Sequence, residues 1–276
     1  YQHSISDGRG FEEFIRCVLF QYLKNCGFPV ENDGSVRGMD TRWSPEESAN
    51  GYEQLADREF SPDGIWKKPE AVHAPEVQWG ADGSEVVTEV TFPFSQLHDY
   101  AKSIGVSPLS VLAPLMMKAF DDKFGGTDKR VIAEIPVDLR PLLQTITLRY
   151  FICFIDLPYF PEYRDLPNDE VFRRTKAFLK DQMQREQLLY RAKAAADRCE
   201  SLHEADMPLA EKMQSAQKVT LISSYGDKMK LSVAQRDHDM QVVEDLCAGL
   251  RQLGIQPETL SYPFVVTRYN GLECGM

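Results

Sequence analysis

The chain has 276 residues, of which 43% are hydrophobic and 26% are charged, and this composition excludes a disordered chain, a collagen-like repeat and a small disulfide-stapled domain. Its formal net charge of -11 disfavours general binding to nucleic acid or to anionic lipid, because an acidic surface repels phosphate groups. The six cysteines form no CxxC pair and no apolar run could span a bilayer, so we expect neither a zinc site nor a membrane span, and a cytoplasmic location.

The N-terminal third divides into a helix and a polar segment. Apolar residues recur at helical spacing between Phe11 and Tyr22, and Gly27 with Pro29 predicts the end of that helix. Residues 30–82 are rich in Gly, Pro, Asp and Glu, which is typical of a long crossover or inter-domain segment. Its scattered tryptophans would pin this segment to the body of the protein, with a short helix at 46–60.

Strands and helices alternate through the rest of the chain. The predicted strands are 85–92, 130–138, 150–157, 219–223 and 228–234, and the predicted helices are 95–104, 108–124, 168–196 and 240–253. The strand at 130–138 is nearly all apolar and is therefore expected at the centre of a sheet. The helix at 168–196 is expected to turn Phe172 and Met183 inward. This order predicts an α/β fold, an α+β sandwich with a mostly central sheet flanked by helices.

The stretch HSISDGRG at residues 3–10 carries the strongest chemical signal. His3 at a strand end can face a cavity as a general base, and Asp7 can hold the turn rigid through an arginine. The alternative is that both side chains only form hydrogen bonds within the turn, because short motifs recur by accident.

HSISDGRGFEEF resembles the HHxxxDG motif of the condensation-domain superfamily, which includes chloramphenicol acetyltransferase, alcohol acetyltransferases and nonribosomal-peptide condensation domains. Three further stretches are similar to this family in order and spacing: IAEIPVDLRPLL at 132–143, TLRYFICFIDLP at 147–158 and SYGDKMKLSV at 224–233. The resemblance covers most of the chain and implies a chloramphenicol-acetyltransferase-like lobe.

The resemblance also implies roles for four residues. His3 would be the general base, Asp7 a structural partner, and Gly8 the position where the backbone approaches the reacting carbonyl. Arg140 would pair with Asp7, because a buried carboxylate needs a charged, fork-shaped donor, and Arg149 is the runner-up.

Two departures from the family pattern bear on domain organisation. The first histidine of the doubled motif is replaced by Gln2, and the lobe that precedes the motif in the family is expected outside this chain. The implied division is a motif turn and helix at 1–28 from a preceding lobe, a linker or crossover at 29–82, a C-terminal acyltransferase-like lobe at 83–260, and a tail at 261–276. The first helix would pack on residues 30–82, on residues 85–255 or on a second copy of the chain.

Other chemically capable side chains are given structural interpretations. Cys153 lies within an apolar strand and is interpreted as a core thiol. No carboxylate or cysteine lies at metal-ligand spacing from the other four histidines, which are His73, His98, His203 and His238. The cations beside the Gly-Gly turn could meet the phosphates of an acyl carrier, although a solvated helix face is favoured; they are Lys118, Lys123, Lys129 and Arg130.

Together these features predict an acyltransferase that moves an acyl group from a thioester of coenzyme A or a carrier protein to a hydroxyl or amine. No covalent cofactor and no metal are expected; the acyl-CoA or acyl carrier is a co-substrate, and the other partners are the small-molecule acceptor and the preceding lobe or a second chain. One alternative is a nonribosomal-peptide-type condensation domain. A second is a non-catalytic module that keeps the fold as a binding or assembly platform.

Overall fold

The computed structural model describes residues 6–38, 41–61, 65–72, 84–125, 128–204, 218–235 and 239–265. Side chains are described in these ranges except at 84–85, 198–204, 218–219 and 263–265.

The described elements alternate much as the sequence predicts. The helices are α1 (Gly8–Asn25), α2 (Pro45–Ser48), α3 (Phe94–Ser103), α4 (Pro108–Phe124), α5 (Arg140–Leu143), α6 (Asn168–Gln182), α7 (Arg185–Glu204) and α8 (Gln241–Gln252). The strands are β1 (Ser84–Pro93), β2 (Val131–Asp138), β3 (Ile152–Tyr159), β4 (Lys218–Tyr225), β5 (Lys228–Gln235) and β6 (Glu258–Val265). Two short 3₁₀ helices lie at Gly51–Leu55 and Pro161–Asp165.

Four strands form an antiparallel sheet in the order β4-β5-β1-β6. Alternate residues of β1 and β5 face the core, where helices α3, α4 and α8 supply further apolar side chains. The predicted hairpin is the pair β4 and β5, and residues 261–265 of the predicted tail form the end of β6, which pairs with β1. The α/β class with a central sheet flanked by helices is confirmed.

Local sequence signals account for α4. The Ser107 hydroxyl accepts a hydrogen bond from the backbone amide of Ser110 at 3.2 Å, and Pro108 occupies the first helical position, where a missing N–H costs nothing. The helix ends at Gly125, where a Cβ atom would lie 2.3 Å from the Asp121 carbonyl oxygen. The predicted start and end of this buried helix therefore follow from capping and steric exclusion.

Two expectations about the middle of the chain are wrong. Strand β2 does not lie at the centre of the large sheet, because among the described residues it pairs only with β3, and four of its side chains are half-buried and three exposed. The single helix predicted at 168–196 is two helices, α6 and α7, with a break at Met183 and Gln184. Met183 is half exposed at that break rather than directed inward.

The chain divides into two compact units made of interleaved segments. One contains residues 1–67, 134–155 and 182–206, and the other contains residues 68–133, 156–181 and 207–276. The four-stranded sheet belongs to the second unit, and α1, α5 and α7 belong to the first. The division of the chain at residues 28, 82 and 260, which the family resemblance implies, stays a prediction.

In the described part of the chain, no helix is by itself both long enough and apolar enough to cross a membrane; only α3 and α4 taken together, bent by 99°, reach that length and composition.

The cysteines provide a direct check on the core. Burial raises the pKa of the Cys153 thiol to about 11 and also raises the pKa of Cys247, whereas Cys26 is exposed. Because the thiolate is the reactive form, we expect iodoacetamide at pH 8 to modify Cys26 at least about 100-fold faster than Cys153 or Cys247 in the native protein. Peptide mapping by mass spectrometry measures the three rates. In denaturant the rates should converge, and rapid native labelling of Cys153 would contradict this packing.

Candidate active site

Asp7 lies at the start of α1 and is almost completely buried, with 1% of its surface exposed. Its carboxylate accepts hydrogen bonds from the backbone amide of Gly10 at 3.0 Å and from that of Phe151 at 2.8 Å. The Gly10 contact makes Asp7 the N-cap of α1 and places a negative charge at the positive end of the helix. Asp7 therefore joins the motif turn to a segment 144 residues away.

Arg140 supplies the positive charge beside Asp7. Its Nη2 donates to both carboxylate oxygens of Asp7, at 3.0 and 2.9 Å, and Arg140 is 8% exposed. The rest of the guanidinium is also engaged: Nε donates to the Thr147 carbonyl, Nη1 to Asp138, and Nη2 also to the Arg149 carbonyl. Such complete pairing is what a buried ion pair requires, because each unpaired charge would carry a large desolvation cost.

Gly10 allows α1 to approach residues 147–149, which supply backbone carbonyls to Arg140. A Cβ atom at this position would lie 2.1 Å from the carbonyl oxygen of Leu148 and 2.3 Å from the Ser6 hydroxyl. The Ser6 hydroxyl donates to the same Leu148 carbonyl at 2.6 Å. No side chain other than hydrogen fits here, so a glycine at position 10 is required by close backbone contact.

Residues 44–55, which we call the strap, form further contacts with the segment 147–152. The Thr147 hydroxyl donates to the Ala49 carbonyl at 2.6 Å, and the Leu148 amide donates to the Glu47 carbonyl at 2.8 Å. The Tyr52 ring meets the fully buried ring of Phe151 edge to face, with centroids 4.9 Å apart. The strap lies in the stretch that the sequence predicts to be a crossover, and no local pattern there indicates these contacts.

The structure brings together Asp7 and Arg140, as expected, with Gly8 as the first residue of α1. Gly8 has open space where a side chain would begin. Arg149, the runner-up partner for Asp7, contributes its backbone carbonyl to Arg140. His3 lies outside the described residues, so its role as a base stays a prediction.

Oδ1 of Asp138 accepts hydrogen bonds from both the backbone amide and the guanidinium of Arg140. Sequence reasoning missed three contributors to this site: Ser6, Gly10 and Tyr52. The stretch HSISDGRG contains a signal for one of them, since a second glycine two residues after Gly8 indicates a close approach.

The cations near the Gly-Gly turn are engaged within the protein. Lys118 pairs with Asp122 at 2.7 Å and Lys123 with Asp239 at 2.6 Å. Lys129 pairs with Glu70, and the guanidinium of Arg130 lies over the Phe160 ring. These contacts favour the structural interpretation of the cluster over a phosphate-binding one.

Removing one partner of the buried pair should destabilise the protein strongly. Asp7→Ala and Arg140→Ala should each lower the free energy of unfolding by about 3 to 5 kcal/mol, because each leaves the other charge unpaired. The double variant should cost less than the sum of the two.

Urea denaturation measures these differences. Arg9→Ala is the control, since Arg9 pairs with Glu12 at 3.0 Å on the surface with 55% of its side chain exposed. That change should cost less than about 1 kcal/mol. Additive losses for Asp7 and Arg140 would show that the two charges are not coupled.

The two glycines of the turn should respond differently to the same added methyl group. Gly10→Ala should destabilise the protein by about 1 to 3 kcal/mol or more, because the Cβ atom collides with the Leu148 carbonyl. Gly8→Ala should change stability by no more than about 0.5 kcal/mol, because its Cβ atom meets nothing. Thermal and urea unfolding of both variants decide this, and equal losses would contradict the close approach at Gly10.

Comparison with known proteins places this geometry in a wider context. No protein-family model and no curated protein matches the sequence. Among solved structures, F. sporotrichioides TRI101 in complex with Coenzyme A and T-2 matches with a TM-score of 0.53 and 13% identity, over 94% of this chain and 66% of that one.

Two further structures match over a similar extent. The first condensation domain of the calcium-dependent antibiotic synthetase, in complex with a substrate analogue, matches with a TM-score of 0.53 and 14% identity, over 91% of this chain and 61% of that one. The condensation domain that mediates chain release from the enacyloxin polyketide synthase matches with a TM-score of 0.50 and 14% identity, over 92% and 56%.

This chain therefore spans between 56% and 66% of the length of these three structures. Identities of 13% and 14% establish the fold and not the activity. Mixed helices and strands around a central antiparallel sheet, together with these matches, confirm the fold that the motifs indicate. The chain shares its fold with these condensation domains and with TRI101.

Proposed function

We propose that this chain is part of an acyltransferase that moves an acyl group from a thioester of coenzyme A or a carrier protein to a hydroxyl or amine. The observation that carries the proposal is the Asp7 turn, locked by Arg140 in a chain with the condensation and acyltransferase fold. The complex of TRI101 with Coenzyme A supports a CoA thioester as the donor.

The burial of Asp7 indicates which residue of the motif has a structural role and which one transfers the proton. Its carboxylate accepts four hydrogen bonds, two of them from Arg140 in the ion pair, so moving a proton to or from it would break the contacts that hold the turn. Asp7 is therefore assigned a structural role, and proton transfer falls to His3, the only histidine in the motif. Gly8 would let the backbone come close to the reacting carbonyl, and Arg140 would keep the turn in place.

In the proposed step, the imidazole of His3 takes the proton from the acceptor hydroxyl or amine as its oxygen or nitrogen attacks the thioester carbonyl. Collapse of the tetrahedral intermediate breaks the carbon–sulfur bond, and the imidazolium returns the proton to the departing thiolate. The products are the ester or amide and the free thiol, so the base is regenerated and neither a metal nor a covalent cofactor takes part in the proposal.

The partner of helix α1 is part of the same proposal. Gly10 is its only buried residue, and Phe14, Val18 and Tyr22 are about half exposed or more. The described residues do not cover these side chains, so of the three partners expected for α1 a second copy of the chain stays a prediction. A preceding lobe or a second copy of the chain would cover them. We also propose a cytoplasmic location for the protein.

Two other functions are compatible with the fold. A nonribosomal-peptide-type condensation domain would use the same base to join two carrier-bound groups, and the two condensation domains among the matching structures favour this alternative. A non-catalytic binding or assembly module would keep the Asp7 and Arg140 pair without using His3.

The test is acyl transfer by the complete protein that contains this chain. Acetyl-CoA and longer acyl-CoA thioesters are offered with alcohols and amines, and product is measured by mass spectrometry. His3→Ala should lower the rate by about 10² to 10⁴-fold with little change in melting temperature, because one general base is removed.

His98→Ala is the matched control, since His98 is exposed and contacts Asp99. It should keep full activity. A His3→Ala variant as active as the wild type would contradict the assignment of the base. Transfer from carrier-bound but not CoA thioesters onto a carrier-bound amine would favour the peptide-forming alternative, and absence of transfer from either donor would favour the non-catalytic module.

A further inference from the structure

We propose that Tyr52 is a positioning residue for the active site: its hydroxyl holds the start of β3, and through it the Asp7 turn that follows His3. This inference rests on the proposed function for its consequence, but the geometry that carries it is independent of any substrate.

The Tyr52 hydroxyl forms hydrogen bonds with both the backbone carbonyl and the backbone amide of Ile152. It donates to the Ile152 carbonyl at 2.5 Å and accepts from the Ile152 amide at 3.2 Å. A hydroxyl in this position takes the place of a neighbouring strand, since it supplies the donor and the acceptor that a paired residue would supply. The contact joins residues 100 positions apart.

The next residue toward the N-terminus transmits this restraint to the motif. Phe151 precedes Ile152, is fully buried, and donates its amide hydrogen to Oδ2 of Asp7 at 2.8 Å. The Tyr52 ring packs edge to face on the Phe151 ring, and a side chain at Gly51 would collide with that ring at 2.8 Å. The strap thus fixes Phe151 through its side chain and through the backbone of its neighbour.

Asp7 is sensitive to the position of the Phe151 amide because its other hydrogen bonds leave the carboxylate no freedom to move. The same carboxylate caps α1 and pairs with Arg140, so a shift of one donor must be shared by the others. Ser6 is tied to the Leu148 carbonyl on the same segment. A displacement of residues 148–151 by a fraction of an ångström is therefore passed to the turn, and catalytic geometry is sensitive on that scale.

The chain supplies a matched pair of tyrosines for the test. Tyr52→Phe deletes only the hydroxyl and keeps the ring contact with Phe151. Tyr100→Phe deletes a hydroxyl that donates to Asp169 at 2.5 Å and keeps an edge-to-face contact with Phe172. Both tyrosines are half-buried, and Tyr100 lies in the other compact unit. Both variants should lose stability, but only the first should disturb the motif.

The first measurement needs no substrate. In the complete protein labelled at histidine, the His3 resonance is assigned from its loss in His3→Ala, and its chemical shift and pKa are followed by NMR. We expect Tyr52→Phe to shift the His3 resonance and to speed hydrogen exchange at the Phe151 amide by about 10-fold, with neither change in Tyr100→Phe. An unchanged His3 resonance in Tyr52→Phe, or the same shift in both variants, overturns the proposal.

The second measurement uses acyl transfer by the same protein. Tyr52→Phe should lower kcat by about 10-fold and change KM for the acyl-CoA by less than about 2-fold, and it should lower activity no further in a His3→Ala background. A loss confined to KM, or an equal loss in Tyr100→Phe, overturns the positioning role. If the wild-type protein transfers no acyl group, the proposed function fails, and the His3 resonance still decides whether Tyr52 positions the turn.

Discussion

The buried ion pair between Asp7 and Arg140 is the constraint on which the described site depends. Two opposite charges removed from water remain favourable only when each has a full set of partners, and both do here. Because those partners come from the start of α1, the junction after β2 and the residues before β3, one electrostatic requirement joins α1 to two neighbouring segments that begin 133 residues further along the chain. The hydrogen bond from Ser6 and the close approach at Gly10 add no charge, but they exclude other arrangements of the same segments.

The site also shows how an irregular stretch can be structurally specific. The strap contains only a single turn of α-helix and a short 3₁₀ helix, yet its Ser44 and Glu47 form a complete capping box, and Glu47 also pairs with Arg37. With its backbone fixed in this way, the strap supplies carbonyl acceptors to Thr147 and Leu148. A chain segment with little regular structure is thereby able to restrain a buried carboxylate that it does not touch.

The parts of this protein that could be predicted from sequence are those governed by local rules. Helix α4 has a serine cap, a proline at its first position and a glycine at its end, and the hairpin of β4 and β5 has its turn residues between two alternating strands. The pairing of Asp7 with Arg140 could be anticipated because both lie in motifs with a known order. The break at Met183 was missed because apolar spacing continues across it, and β2 was misplaced because an apolar strand does not reveal how many neighbours it has. The contact of Tyr52 with Ile152 spans 100 residues and has no local signal.

Asp7 both caps α1 and pairs with Arg140, and these two roles limit which residues can occupy its position. Asparagine could still cap α1 but would leave the Arg140 guanidinium without a counter-charge, whereas glutamate would keep the charge but place it one methylene too far from the Gly10 amide. Serine and threonine, which are good caps, fail for the same reason as asparagine. Only aspartate satisfies the helix terminus, the guanidinium and the Phe151 amide at once, so this position can be invariant among relatives for reasons of architecture alone. An intact aspartate at this position in a related sequence is therefore evidence that the fold is kept, whereas the proposed chemistry depends on the histidine four residues before it.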